Sequence, residues 1–162
     1  MSAKDTANVL TAPQPSLNGD RVLFPARAEN PCFGCGGGNP RGMKLEFTGD
    51  RKSKRVTGNF RVSADFQGGG GFLHGGIIAL ILDEAMGKLA RLSGERAVTA
   101  ELSVEYLKPI AVETEIFVEA FEKERNGRQL YHHAEIKNAE GIVLARGRGR
   151  FVVPRTAERV AP

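Results

Sequence analysis

The stretch His74-Gly75-Gly76-Ile77-Ile78-Ala79-Leu80-Ile81-Leu82-Asp83-Glu84-Ala85-Met86-Gly87 decides the fold of this chain. Its central run, residues 77–82, is apolar all round, which predicts a helix buried on several sides rather than one with a wet face. We expect the helix to span residues 75–92, because Ser93-Gly94 follows and glycine is favoured just past a helix end. A sheet wrapped around a central helix fits such burial.

Strand patterns fill most of the chain on both sides of this helix. Residues 43–47, 56–62 and 98–106 alternate apolar and polar side chains, as half-buried strands do. We expect one face of the last run to belong to the core. That face carries Val98, Ala100, Leu102, Val104 and Tyr106.

The chain after residue 106 reads as a meander of long strands. Residues 115–124 and 129–137 flank Asn126-Gly127, a strong hairpin signal because both central residues of such a turn need positive φ. A last strand over residues 142–153 completes the meander. The sequence thus predicts an α+β fold in which one long central α-helix is wrapped by a curved antiparallel β-sheet.

Bulk composition is that of one globular domain. The chain has 162 residues, of which 41% are hydrophobic and 26% are charged, ordinary values for a globular protein. Residues 1–20 and 154–162 mix small and polar side chains without periodicity, so we expect a flexible leader and tail around a domain at residues 21–153. The leader lacks the apolar run of a secretory signal, and no segment approaches the roughly 20 apolar residues of a membrane helix. We expect a cytoplasmic protein that does not bind membranes.

The charge of the chain favours a small anionic ligand over nucleic acid. The formal net charge is +4, and the basic residues are dispersed, which attracts anions without forming a nucleic-acid surface. Trp is absent and Tyr occurs twice, so the aromatic stacking platform of single-strand binders is missing. We expect no nucleic-acid partner.

The cysteines of the chain are Cys32 and Cys35, at Cys-x-x-Cys spacing. That spacing fits half of a zinc site or a redox pair. A structural zinc ion takes four ligands, normally with a second cysteine pair, and a redox motif lies between a strand and a helix, whereas turn-forming residues surround this pair. The sequence favours a compact turn with small buried side chains. Zinc content or thiol titration discriminates among these interpretations.

A glycine-rich approach, residues 67–76, leads into the start of the long helix. Glycines let backbone N–H groups come close to a ligand, and the first helical turn has unpaired N–H groups and a partial positive charge. Such a turn suits an oxyanion or a polarised carbonyl. Glycine-richness alone also describes a flexible loop.

Asp83 is an acid inside this otherwise apolar helix. At helical spacing it shares a face with small residues such as Gly76, Ala79 and Gly87, which permit another backbone to approach. Partial burial raises the pKa of a carboxyl group and makes it a better base. Asp83 is therefore the first candidate for a catalytic acid and Glu84, one step round the helix, is the second. The alternative is a capped or solvated structural acid.

The spacing of His74 and Asp83 predicts a dimer. They are nine positions apart, which at a rise of ~1.5 Å per residue separates them by ~13 Å along the helix axis. They cannot both reach one carbonyl carbon from a single chain. We expect two helices to lie antiparallel across a two-fold axis, so that the glycine turn of one subunit faces Asp83 of the other. Two equivalent sites per dimer follow.

The pattern His74-Gly75-Gly76 with Asp83 and Thr99 resembles the hot-dog-fold thioesterase superfamily, in particular its PaaI/THEM4-like acyl-CoA thioesterase branch. The resemblance covers about residues 31–153 and includes the segments at residues 30–36, 39–45 and 106–110. It implies homodimers that often pair into tetramers, and hydrolysis of acyl-CoA without metal or cofactor.

The resemblance also implies a role for each residue of the motif. Asp83 matches the catalytic carboxylate, acting as general base on water or as nucleophile. Gly75 or Gly76 matches the helix-start N–H that polarises the thioester carbonyl. His74 matches the histidine that orients the site, and Thr99 matches a hydroxyl that helps to place the water.

One position departs from the pattern. Several relatives carry a polar amide side chain about six positions before the motif histidine, where this chain has Gly68. Gln67 is adjacent and is the candidate substitute.

The leading function is hydrolysis of a small-molecule acyl-CoA, whether short-chain, long-chain or aryl. The alternative is a non-catalytic acyl-CoA-binding or regulatory protein of the same fold, which Gly68 favours if a water site is lost.

Arg146, Arg148 and Arg150 alternate with glycines on one predicted strand, so their side chains point the same way. Arginine suits bidentate phosphate contacts, which makes them candidates for binding the CoA phosphates. A solvated sheet face or an oligomer contact is the alternative. The adjacent His132 and His133 point to opposite faces of their strand, and we expect both to be structural.

Overall fold

The computed structural model describes residues 17–155, which form one antiparallel sheet around one long helix. The strands are β1 (Leu17–Asn18), β2 (Arg21–Phe24), β3 (Phe47–Asp50), β4 (Arg55–Arg61), β5 (Val98–Tyr106), β6 (Glu115–Asn126), β7 (Gln129–Lys137) and β8 (Val143–Val152), and the helix is α1 (Gly75–Leu92). The strand order in the sheet is β1-β2-β3-β4-β6-β7-β8-β5. This confirms the predicted α+β architecture.

Helix α1 has the predicted bounds. His74 caps its N-terminus, and after the C-cap Ser93 the chain turns at Gly94, where φ is +79°. The helix is buried because the sheet curves over it and small residues on β8 let it approach closely. A Cβ added at Gly147 would lie 3.2 Å from the Leu82 side chain. The core therefore lies between α1 and the concave face of the sheet.

The strands after the helix form the predicted meander, with one adjustment at the hairpin turn. Asn126 pairs with Gln129, so Gly127 and Arg128 are the central residues. Gly127 has φ +56°, and neither Asn126 nor Arg128 has positive φ. Glycine at the first central position fits a type II′ turn rather than the expected Asn-Gly turn.

The strand predicted at residues 43–47 is wrong for its first four residues. Regular pairing begins only at Phe47, because Lys44 has φ +53° and breaks the extended run. The backbone here binds the cysteine turn instead, with Met43 N–H donating to Phe33 O at 2.8 Å and Leu45 N–H to Gly34 O at 2.9 Å. The segment therefore fastens the cysteine turn to the domain.

The core face predicted for β5 is also wrong in part. Val98 is 56% exposed and Tyr106 is 55% exposed, while Leu102 and Val104 pack partly against the core. Two features explain this difference. A β-bulge between Thr99 and Glu101 shifts the alternation of side chains, and β5 is the last strand of the sheet, with β8 as its neighbour.

His132 and His133 lie on opposite faces of β7, as expected. His132 is fully buried, and its Nδ1 lies 2.8 Å from the Met86 carbonyl oxygen of α1. Its ring also stacks on Phe151 with 5.0 Å between centroids. His133 is partly exposed. His132 thus joins the sheet to the helix.

The predicted leader and tail fall mostly outside the described residues, so a domain at residues 21–153 stays a prediction. Within the described range, Leu17 and Asn18 pair antiparallel with Val22 and Arg21. Among helices in residues 17–155, none has the length and apolar character that a membrane crossing requires.

Candidate active site

Asp83 and Thr99 meet between the middle of α1 and the start of β5. The Thr99 Oγ1 donates a hydrogen bond of 2.8 Å to Asp83 Oδ1. Asp83 is partly buried, and this burial raises the pKa of its carboxyl group; the Thr99 hydrogen bond works in the opposite direction. The pair therefore consists of a partly desolvated carboxylate oriented by a hydroxyl group.

The bulge in β5 is what turns Thr99 towards the helix. Glu101 pairs with Arg150, yet Thr99 pairs with Phe151, so Ala100 is the extra residue. Strict alternation would put Thr99 on the same face as Glu101, away from α1. Bulges commonly re-aim a side chain in this way beside functional sites. Periodicity alone gives no signal for such an insertion.

His74 caps the start of α1 with its own imidazole. Its Nδ1 accepts a hydrogen bond of 2.9 Å from the Gly76 N–H, so that nitrogen carries no proton in this arrangement. Among residues 17–155, none accepts a hydrogen bond from the Gly75 N–H. Of the two glycines predicted to polarise a carbonyl, Gly75 is therefore the one whose N–H the cap leaves available.

Tyr106 is a residue of this region that sequence reasoning did not assign to the site. Its hydroxyl donates to the Gly75 carbonyl oxygen at 3.0 Å, and its ring would lie 3.5 Å from a Cβ on Gly75. Tyr106 thus anchors the helix start to the far end of β5. The signal available in the sequence was its position at the end of the strand that begins near Thr99.

The side of α1 that carries Asp83 is incompletely covered. Gly76 is exposed, and Ala79, Leu80, Asp83 and Gly87 are only partly buried, in contrast to the fully covered opposite side of the helix. Because α1 is one continuous helix, its first turn and Asp83 stay ~13 Å apart along the axis. A single chain therefore does not bring His74 and Asp83 to one carbonyl group.

The glycine-rich loop folds back on the helix start. Gly68 donates to Phe72 O at 2.8 Å, and a Cβ at Gly68 would lie 3.3 Å from the Cα of His74. Gln67 is exposed and forms an isolated bridge with Leu73. Gly68 thus lies directly beside His74, and Gln67 lies opposite Leu73.

Glu84 has partners different from those of Asp83. Its Oε2 lies 3.0 Å from Lys88 Nζ, and the Cys32 Sγ lies 3.3 Å from its Oε1. Burial raises the pKa of Glu84, but Lys88 and the cysteine donors outweigh it, so the pKa lies below its ordinary value. Glu84 faces the cysteine turn, and Asp83 is the acid that faces β5.

Arg146, Arg148 and Arg150 lie on the face of β8 opposite to the helix, since Gly147 and Gly149 between them face α1. Each guanidinium pairs with a carboxylate, at distances of 2.9 Å, 2.9 Å and 3.4 Å. The first two line a cavity of about 400 Å³ on that face. The three arginines therefore share one surface, which is not the surface of Asp83. Their acidic partners are Glu135, Glu105 and Glu101 respectively.

Part of the chain is similar in sequence to known thioesterases. The sequence model of the thioesterase superfamily matches residues 70–145. The acyl-coenzyme A thioesterase THEM4 of Mus musculus is 33% identical over 103 residues, which is 64% of this chain and 44% of that protein. The chain therefore spans less than half the length of this curated relative.

Solved structures share the fold. A thioesterase superfamily protein, RHA08564, matches with a TM-score of 0.64 and 27% identity, over 70% of this chain and 57% of its own. The E. coli PaaI protein from the phenylacetic acid degradation operon has a TM-score of 0.60 and 20% identity, over 63% and 74%. A hypothetical thioesterase of Streptococcus pneumoniae, solved with coenzyme A, has a TM-score of 0.60 and 20% identity, over 62% and 78%. The predicted hot-dog fold is confirmed.

Proposed function

Because residues 70–145 match the sequence model of the thioesterase superfamily, we propose that the chain hydrolyses acyl-CoA thioesters to a free acid and CoA. The observation that carries this proposal is the 2.8 Å hydrogen bond between Thr99 and the partly buried Asp83. Asp83 acts as the catalytic carboxylate and Thr99 orients it. The curated relative in Mus musculus is named an acyl-coenzyme A thioesterase, which supports the substrate class.

In the general-base form of the reaction, Asp83 takes a proton from water while the water oxygen attacks the thioester carbonyl carbon. The Gly75 N–H at the positive end of α1 stabilises the negative charge that develops on the carbonyl oxygen. The carbon–sulfur bond then breaks, and the CoA thiolate leaves with the proton. In the nucleophilic form Asp83 itself attacks, and water hydrolyses the resulting anhydride.

Two variant structures of the Streptococcus pneumoniae protein support the pairing of an acid with a hydroxyl. They replace by alanine an aspartate and a threonine that lie 16 residues apart. Asp83 and Thr99 have the same separation. The unmutated protein was solved with coenzyme A, and we propose CoA as the leaving group here.

We propose that the active unit is a homodimer, with a dimer of dimers as the further assembly. Two surfaces are left uncovered by residues 17–155. One is the side of α1 that carries Asp83, and the other is the outer edge of β5. Exposed Val98 and Leu107 lie along this edge. A second copy would cover these surfaces and bring its Gly75 N–H towards Asp83.

The three arginines of β8 remain our candidates for the CoA phosphates. The test compares acyl-CoA with an acyl-N-acetylcysteamine thioester, which lacks phosphates. Arg148→Ala should raise KM several-fold for acyl-CoA alone, because a guanidinium–phosphate contact is lost only with that substrate. A KM that is unchanged for both substrates contradicts this role.

The main experiment is a thioesterase assay across short-chain, long-chain and aryl acyl-CoA substrates. Asp83→Ala should reduce kcat by about 10² to 10⁴, the usual contribution of a positioned base. Glu84→Gln is the comparison, since it removes the neighbouring acid and should retain most of the turnover. Hydrolysis that survives Asp83→Ala but not Glu84→Gln would assign the reaction to the other acid.

A non-catalytic acyl-CoA-binding protein is the second candidate, and Gly68 is the observation in its favour. Gly68 adjoins His74, yet it has no amide side chain to hold a water molecule. Wild-type protein that binds acyl-CoA in equilibrium dialysis without turning over any substrate would support this candidate. Gly68→Asn should then introduce turnover while leaving the affinity for acyl-CoA similar. A cytoplasmic location is part of the proposal for either function.

A further inference from the structure

Two thiols, a carboxylate and an ammonium group meet where the cysteine turn packs against α1. The Sγ atoms of Cys32 and Cys35 and a carboxylate oxygen of Glu84 all lie within 4.8 Å of one another. Lys88 Nζ lies 2.9 Å from Cys35 Sγ and 3.0 Å from Glu84 Oε2. Cys35 is 8% exposed and Lys88 is 5% exposed. This cluster is not part of the site around Asp83 and Thr99.

The backbone holds the two thiols in place. Gly36 N–H donates to Cys32 O at 3.0 Å, and Cys32 N–H donates to Asn30 Oδ1 at 3.1 Å. A Cβ at Gly34 would lie 2.5 Å from Glu84 Oε1. The absence of a side chain at Gly34 therefore provides the space into which the Glu84 carboxylate reaches.

We propose that Cys32, Cys35 and Glu84 bind one divalent metal ion of thiolate preference, with Zn²⁺ as the representative ion. Thiolate sulfur and carboxylate oxygen are zinc ligands at about 2.3 Å and 2.0–2.2 Å, which places tetrahedral ligand atoms ~3.5–3.8 Å apart. The observed separation of Cys32 Sγ and Glu84 Oε1 is 3.3 Å. Small side-chain movements therefore suffice for the three atoms to surround an ion, with a fourth position open to water.

Charge balance supports an ion at this place. With both thiols protonated, the cluster holds one carboxylate and one ammonium group and is neutral. Exchange of the two thiol protons for one dication keeps it neutral, since two thiolates and Glu84 contribute three negative charges against Lys88 and the ion. A net charge in a buried cluster is costly, and this exchange avoids it.

Lys88 acts as the outer partner of the bound ion. Its ammonium group contacts Glu84 through Oε2, whereas Oε1 is the oxygen next to Cys32. Both contacts are compatible with metal binding, because a ligated thiolate and carboxylate still accept hydrogen bonds from Lys88. Such outer contacts orient the ligands and tune their affinity.

The ion would connect the cysteine turn to the helix. Glu84 faces the cysteine turn, while the Asp83 carboxylate accepts from Thr99 on β5. A metal ion would therefore join residues 32–35 to α1 at Glu84, the residue after Asp83, without taking part in hydrolysis. The usual sequence pattern of a zinc site includes a second cysteine pair. Here the third ligand is Glu84, which comes from α1 instead.

The experiment is a Co²⁺ titration of the chelator-treated, reduced protein comprising residues 1–162. We expect one Co²⁺ per chain, a thiolate-to-cobalt charge-transfer band, and loss of that band when Zn²⁺ is added. A native mass spectrum of the Zn²⁺ form should show one zinc atom gained and two protons lost. Absence of stoichiometric binding to the wild-type protein would overturn the proposal without reference to any variant.

Variants then identify the ligands. Cys32→Ser and Cys35→Ser should each abolish the charge-transfer band or reduce it to the level of a single thiolate. Lys88→Met should weaken the affinity for Co²⁺ by about 10- to 100-fold, as loss of an outer contact does. The double variant Glu84→Gln with Lys88→Met keeps both thiols and a neutral cluster, and it should bind Co²⁺ more weakly than Lys88→Met alone. Equal affinity of these two proteins would remove Glu84 from the ligand set.

Discussion

Thr99 is the residue whose side chain is hydrogen-bonded to the Asp83 carboxylate. Its hydroxyl donates to the carboxylate at 2.8 Å, and it faces α1 only because Ala100 is the additional residue of the bulge. A hydrogen bond to a charged group is worth about 1.5–3 kcal/mol. The orientation of Asp83 therefore depends on one hydroxyl group.

Thr99→Val tests this dependence, because valine keeps the shape of the side chain and removes the donor. We expect kcat to fall by about 10- to 100-fold, the equivalent of that hydrogen bond. Thr99→Ser keeps the hydroxyl and should retain most of the activity. Equal losses in both variants would indicate a packing role for Thr99, and the assay on acyl-CoA distinguishes the two outcomes.

Glycines of the cysteine turn give a second prediction at this scale. Ala at position 36 would meet backbone atoms of Asn30 and Cys32, whereas Ala at position 34 would meet the movable end of Glu84. We expect Gly36→Ala to destabilise the protein most and Gly34→Ala to destabilise it by about 1–3 kcal/mol. Gly69→Ala is the control, since a Cβ there meets no atom within 4 Å.

Urea unfolding monitored by circular dichroism measures these differences. The control should remain within about 0.5 kcal/mol of the wild type, as surface substitutions do. A Gly34→Ala variant as stable as this control would show that the Glu84 carboxylate moves away at no cost.

Among the elements, β7 carries a buried histidine whose titration affects stability. His132 is surrounded by the Met86 carbonyl of α1, Glu122 and Arg125 of β6, and the Phe151 ring of β8. Burial lowers the pKa of His132 below its ordinary value, and Glu122 offsets this only in part. The unfolded chain therefore takes up the proton at a higher pH than the folded protein.

The free energy of unfolding should consequently fall as the pH drops below about 6.5, the ordinary pKa of histidine. One such group contributes at most about 1.4 kcal/mol per pH unit, and its stabilising effect is complete above that pH. The pKa of His133 is also lowered by burial, so the comparison uses a His133→Gln background. There, His132→Gln should flatten the dependence between pH 5 and 7 in denaturant titrations. An unchanged slope would assign it to other groups.

Local sequence signals predicted some elements of the fold and missed others. The bounds of α1 followed from its apolar run and from Ser93-Gly94, since both signals are local. The bulge at Ala100 was not predictable, because an inserted residue leaves the apolar alternation of β5 intact in the sequence. Likewise, the positive φ of Lys44 could not be predicted, because lysine is not a residue type that indicates this conformation.

The candidate site could be predicted from the sequence only in part. Asp83 stood out as an acid in an apolar helix, and the family resemblance pointed to Thr99. The contact between Glu84 and the cysteine turn spans 52 residues, and no local pattern encodes such a distance. The roles of Asp83, His74 and the arginines stay predictions.

For the whole molecule, the exposed edge of β5 predicts self-association. Val98 is 56% exposed on this edge, and Leu23 is 45% exposed on β2, away from it. Val98→Asp should yield a monomer with little thioesterase activity, because a charge on a pairing edge opposes association. Leu23→Asp carries the same charge elsewhere and should leave a dimer with normal activity. Light scattering reports the mass, and a wild-type monomer that hydrolyses acyl-CoA would contradict the shared site.

The strand order has a consequence for how the protein is made. Strand β5, which carries Thr99, joins the sheet through β8, the last strand within residues 17–155. While the ribosome is still adding residues 143–152, Thr99 has no sheet to hold it against Asp83. Asp83 and Thr99 are therefore translated early and brought together last, so that a prematurely terminated polypeptide would contain both residues and the helix sequence but lack the strand that holds Thr99 beside Asp83.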